Sequence, residues 1–173
     1  MIKFDINKDK LNYNFDYNIN ETNSLKNLFS EIRTNKSLSV DDIRRVALWK
    51  IDRVLGISED LVKKLDDLAK NNSVNIFDKD VKNIINELTS SQGIGFPMAS
   101  AILKFLRPDV FPIIDVRAYR VIFGKKLSYS QYSIEKYYNY VKEIYLIRDK
   151  LKLPLEQIDE QLYEFDKKHN GKI

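Results

Sequence analysis

Two periodicities divide the chain. Over residues 1–20 apolar and polar positions alternate: Phe4 and Ile6, then Leu11, Tyr13, Phe15, Tyr17 and Ile19, with the polar break Asn7-Lys8-Asp9-Lys10 between them. Strict alternation places every apolar side chain on one face of an extended chain, and two such runs around a polar break predict a β-hairpin. Its aromatic face is expected to pack on the rest of the molecule, since an open apolar face of that kind invites aggregation.

After Asn20 the spacing changes to three and four. Thr22 or Asn23 is placed to cap a helix carrying Leu25, Leu28, Phe29 and Ile32. Ser39 opens a second, with Ile43, Val46, Ala47, Ile51, Val54 and Leu55, ending at Gly56. Ser58 caps a third through Leu61, Leu65 and Leu68, and Asp78 a fourth through Val81, Ile84, Ile85 and Leu88. A long helix from about Ser130 carries Ile134, Tyr137, Tyr138, Val141, Ile144 and Tyr145, and Pro154 starts a last one with Ile158, Leu162 and Phe165. These are N-cap and amphipathic signatures. The tyrosine stripe reads as core and not as a base-stacking platform. The expectation is an all-α protein with a short N-terminal β-hairpin. No repeat or linker divides the chain, so residues 1–173 are taken as a single domain.

Composition narrows the chemistry. A hydrophobic content of 43% in 173 residues supports a core without staples. There is no cysteine and one histidine, His169, which removes disulfides, iron–sulfur clusters and thiolate or histidine zinc sites. No apolar run reaches the ~20 residues of a membrane span and no signal-peptide pattern opens the chain. A soluble, cytoplasmic protein without a cofactor is expected. Residues 1–90 carry 15 Lys+Arg and 15 Asp+Glu, and residues 131–173 carry 8 of each. The net charge of +4 therefore falls in residues 91–130, with Lys104, Arg107, Arg117, Arg120, Lys125 and Lys126 against Asp109 and Asp115. Read as surface, this stretch is a basic patch suited to a polyanion such as nucleic acid.

The same stretch holds the one motif with chemical content. Gly93-Ile94-Gly95 lets the backbone reverse between two helices, with positive φ open to both glycines. Such a turn presents backbone N–H groups at the start of the next helix, an anion site suited to a phosphate oxygen. Pro97 fits that helix's first turn, where a missing N–H costs nothing. Small residues Ala99, Ser100 and Ala101 allow close helix packing. Asp115 stands where the chain enters another helix, ending at Gly124, and is placed to serve as its N-cap.

Leu88, Gly93-Ile94-Gly95, Ala99, Ile102-Leu103, Ile114-Asp115 and Arg120-Val121 together resemble the helix–hairpin–helix DNA glycosylases, the endonuclease III-like superfamily. The spacing from Gly95 to Asp115 also matches. The resemblance spans residues 88–121 of 173, with the helix–hairpin–helix itself at 88–107. It implies a two-lobed helical bundle in which the hairpin holds double-stranded DNA and a modified base is flipped into a cleft. It further implies that Asp115 is the catalytic carboxylate, stabilising positive charge on the sugar or orienting water, as in glycoside hydrolysis.

Family members that also cut the backbone carry a lysine two residues past the second glycine. Here Pro97 stands there, so the expectation is a monofunctional, water-using enzyme acting on a modified base, as in base excision repair. The absence of iron–sulfur cysteines removes one subgroup. DNA contacts are expected from Gly93, Ile94, Gly95, Phe96, Arg117 and Lys125. Trp49, beside Lys50 and one turn from Arg53, is a core residue by type and the candidate wall of a base pocket. A catalytically inactive DNA-binding module using the same hairpin is the alternative, and a helical adaptor the third reading. The protein is expected to act as a monomer.

Overall fold

The computed structural model describes residues 2–15, 19–50 and 56–173. Among them are eight α-helices: α1 (Ile19–Thr34), α2 (Val40–Lys50), α3 (Glu59–Lys70), α4 (Lys79–Ser90), α5 (Phe96–Leu106), α6 (Val116–Phe123), α7 (Ile134–Leu151) and α8 (Leu155–Asn170). A single 3-10 turn, Tyr129–Gln131, precedes α7. No helix among the described residues is long and apolar enough to cross a membrane.

The helix boundaries follow local chemistry. Ser58 accepts the Leu61 N–H at 3.2 Å and opens α3. Ser133 does the same for α7 through Lys136. Asp78 is the N-cap of α4, and α8 starts directly after Pro154. The first helix departs from expectation. It begins at Ile19, so Thr22 lies inside it, buried, and serves as a partner for Trp49 and not as a cap. The expected continuation of α2 through Ile51, Val54 and Leu55 lies outside the described residues.

No N-terminal hairpin is seen among the described residues. Residues 2–15 contain no strand, and residues 16–18 lie outside the described set. The polar break is a local turn in which Asp9 N–H bonds the Asp5 carbonyl at 2.8 Å. Its flanks bond the helical body in place of each other. Phe4 N–H donates to the Val121 carbonyl at 2.9 Å, and the Tyr13 backbone pairs with the Gln161 side-chain amide. The alternation did mark a one-faced segment: Phe4 and Leu11 are buried, and Phe4 meets Phe165 edge-on at 5.4 Å. Period-two patterning specifies a face, and a helix surface satisfies that face as well as a second strand does.

Helix α5 is the centre of the molecule. Its sequence from Met98 to Leu106 is buried throughout and is apolar except for Ser100 and Lys104, which find polar partners inside the molecule. Helices α1, α2, α3 and α4 pack around it, while α6, α7 and α8 pack on one another, α6 against α8 most extensively.

Candidate functional site

The chain between α5 and α6 has no regular structure, yet Val110, Phe111, Ile113 and Ile114 are buried. Buried backbone polar groups need partners when no helix or sheet supplies them. Here side chains do so. Tyr145, Tyr137 and Tyr140 of α7 donate to the carbonyls of Val110, Pro112 and Ile113 at 2.8, 3.0 and 2.8 Å. From the other side, Asp159 of α8 accepts the Ile113 N–H at 2.9 Å and Ser100 of α5 accepts that of Ile114 at 3.1 Å. Five bonds from three helices thus fix the backbone that ends at Asp115.

Asp115 itself is held at both oxygens. Oδ1 accepts the Arg117 N–H at 2.8 Å and caps α6, as its position in the sequence indicated. Oδ2 faces the Lys50 ammonium at 3.4 Å, with the two side chains 19% and 18% exposed. The pair therefore meets water while being largely enclosed.

Asp115 and Lys50 open onto a cavity of about 330 Å³ lined by side chains of α1, α2, α5, α6 and α8. Trp49, Phe105 and Tyr163 give it aromatic walls. The Trp49 indole stands edge-on to Phe105 at 5.2 Å and donates its N–H to Thr22 at 2.9 Å. The buried end is ionic: Lys104 and Asp159, each 4% exposed, lie 2.7 Å apart. Burial alone pulls the Lys104 ammonium down, but the Asp159 and Glu160 carboxylates outweigh it and hold the ammonium above its ordinary value. Burial, assisted by the Asp115 charge, pushes the Tyr163 and Tyr132 phenols up.

The expected site residues divide into two groups. Trp49 and Arg117 join Asp115 in the cavity wall. Arg117 is turned inward, donating to Asp166 at 3.0 Å and to the Gly171 carbonyl at 2.9 Å, with its guanidinium 5.6 Å from the Tyr163 ring centre. Gly93, Ile94, Gly95 and Phe96 form the α4–α5 turn and do not line the cavity. The Ile94 side chain is buried and Phe96 packs 6.3 Å from Tyr137, so what this turn offers a partner is chiefly backbone. Lys125 is exposed just beyond α6.

The two glycines differ. Gly93 has φ +80°, whereas Gly95 is extended at φ −95°. At Gly95 the constraint is a neighbour and not the backbone: a Cβ there would lie 2.4 Å from the Tyr129 hydroxyl. Beyond it, the first turn of α5 leaves the N–H of Phe96 without a helical partner.

The basic patch is also revised. Lys104, Arg107 and Arg120 are buried, paired with Asp159, Asp109 and Asp166 respectively. Counting charges along the chain could not reveal this, because Asp159 and Asp166 come from α8. Of the six cations, Lys125 and Lys126 stand exposed. Lys50 had no sequence signal beyond its place next to Trp49, and Glu160 had none.

Comparison with protein-family models, curated proteins and solved structures gave no match.

Proposed function

We propose that the protein is a monofunctional DNA glycosylase that hydrolyses the N-glycosidic bond of a modified base, with Asp115 as the catalytic carboxylate. The observation that carries this reading is the placement of Asp115. A carboxylate fixed by its own helix and by Lys50 stands at an aromatic-walled cavity of about 330 Å³. That volume lies within the roughly 300–1,000 Å³ of small-molecule sites. A base turned out of the duplex would enter between Trp49, Phe105 and Tyr163, leaving its sugar beside Asp115.

As the base departs, positive charge grows on the sugar. An anion held in place stabilises that charge with no reorganisation, and its oxygen can take a proton from the attacking water. Lys50 keeps Oδ2 directed and Arg117 N–H keeps Oδ1 directed, so the carboxylate presents one orientation. Pro97 at the first turn of α5 carries no amine, which favours water as nucleophile. The α4–α5 turn, with the N–H of Phe96 free of any helical partner, would hold a phosphate beside the extruded nucleotide. A binding module without chemistry is less favoured: three of the six cations that suggested it are engaged inside the molecule.

The test is a base-release screen on duplexes carrying varied modified bases, run with Asp115→Asn. Asparagine retains the cap, so folding and DNA affinity should persist. Release should fall by at least about 100-fold. If no base is released from a broad panel, or if Asp115→Asn releases base at the parental rate, the proposal fails.

A further inference from the structure

At the buried end of the cavity, hydrogen-bonding capacity is almost fully used. Lys104 donates to the Glu156 carbonyl at 2.7 Å, to Asp159 Oδ1 at 2.7 Å and to Glu160 Oε1 at 3.1 Å, which spends all three of its N–H bonds. Asp159 uses both oxygens, one on Lys104 and one on the Ile113 N–H at 2.9 Å. Glu160 Oε1 also takes Lys26 of α1 at 3.2 Å. Glu160 Oε2 has no partner among the described residues, although the side chain is only 12% exposed and lines the cavity. With every Lys104 donor used, the spare positions among these three groups are all acceptors, and the oxygen with no partner among the described residues is Glu160 Oε2.

That oxygen still meets water in the open cavity, and a ligand that displaces the water must supply an N–H in its place. A ligand carbonyl at the same place would meet lone pairs with lone pairs. One helical turn along α8 from Glu160, Tyr163 faces the same cavity, and Phe105 and Trp49 complete an apolar slot for a flat ring. We infer that Glu160 makes the cavity selective for a nucleobase bearing an exocyclic amine, adenine-like in its donor edge, over one bearing a carbonyl there. The identity of the ring as a nucleobase rests on the base-excision reading; the donor preference rests on Glu160.

The chain's sole tryptophan lies in the cavity wall, so quenching of Trp49 fluorescence reports occupancy directly. Free adenine, purine and hypoxanthine, which bear an amine, a hydrogen and a carbonyl on the same ring carbon (hypoxanthine with a proton on the adjoining nitrogen as well), are titrated into the full chain. Adenine should bind about tenfold or more tighter than hypoxanthine, with purine between. Glu160→Gln should invert the order, because glutamine leaves a carbonyl oxygen on Lys104 and Lys26 and turns an N–H₂ toward the ligand. The unaltered chain suffices if the variant does not fold, since the ligand series alone must show the preference. Equal binding of the three, no saturable quenching by any of them, or a preference that survives Glu160→Gln would overturn the inference.

Base release from duplexes separates this outcome from that of the excision reading. Discrimination among free bases without release sinks only the excision reading. Release without discrimination sinks only the role of Glu160.

Discussion

Gly93 and Gly95 serve different physical ends one residue apart, and substitution should separate them. At φ +80° an alanine at 93 is strained by its own backbone, at a cost of about 1–2 kcal/mol. At 95 the backbone is ordinary and the obstacle is the Tyr129 phenol, a 67% exposed ring that can swing into solvent. Gly95→Ala should therefore cost less than about 1 kcal/mol in urea unfolding. A larger loss at 95 than at 93 would mean that Tyr129 is held in place. The cations divide in the same manner. Lys125→Gln should flatten the log–log salt dependence of DNA binding by about 0.9. Arg117→Gln should leave that slope alone and lower stability, because Arg117 serves Asp166 and Gly171. The amine of Lys50, at the cavity beside Asp115, gives the borohydride experiment a named target. With water as nucleophile, no DNA adduct is trapped. An adduct that disappears in Lys50→Gln would move the nucleophile to Lys50.

Among the elements, α7 shows how a helix can serve a site it does not line. Its tyrosines reach the carbonyls of the segment before Asp115, and Tyr140 is both fully buried and bonded to Ile113 at 2.8 Å. Tyr140→Phe leaves that carbonyl unpaired and should cost about 1–2 kcal/mol. On the proposed function, base release should fall with it while DNA affinity holds, because the loosened segment carries the carboxylate and not the turn proposed to hold DNA. Tyr138 supplies the control: its hydroxyl is buried with no partner among the described residues, so Tyr138→Phe should be neutral or stabilising by thermal melt.

The helices were legible in the sequence because spacing and caps are local properties, as Ser58 and Asp115 show, although the long helix α7 starts at Ile134 and not at about Ser130. Of the aromatic stripe, Tyr137 is buried in the core, while Tyr138 and Tyr145 pack half-buried against it. What the chain could not disclose was pairing across distance. The N-terminal alternation marked a face without naming its partner, which proved to be α6 and α8. Asp115 was legible as a cap and, through the family resemblance, as a candidate carboxylate. Its neighbour Lys50 lies on another helix, and only the folded chain joins them.

For the molecule as a whole, a core built with so many buried phenols sets an alkaline limit. Burial raises Tyr137 and Tyr140 well above their ordinary value, and raises Tyr132, Tyr145 and Tyr163 in the same direction. In the unfolded chain these phenols titrate near about pH 10, so above that pH the unfolded state releases protons that the folded state retains. Stability is thus fully present below about pH 10 and is lost as the pH rises toward the folded-state values. Each such phenol steepens the loss by up to about 1.4 kcal/mol per pH unit. Lys104 adds to the same trend, since its carboxylate partners hold its proton above the ordinary lysine value in the folded state. Urea midpoints should be level up to about pH 9.5 and fall steeply between about pH 10 and 11.5. Tyr140→Phe, although less stable at neutral pH, should show a shallower alkaline decline because one retained proton is gone. A decline of unchanged slope in that variant would mean that the alkaline limit is set elsewhere than at these phenols.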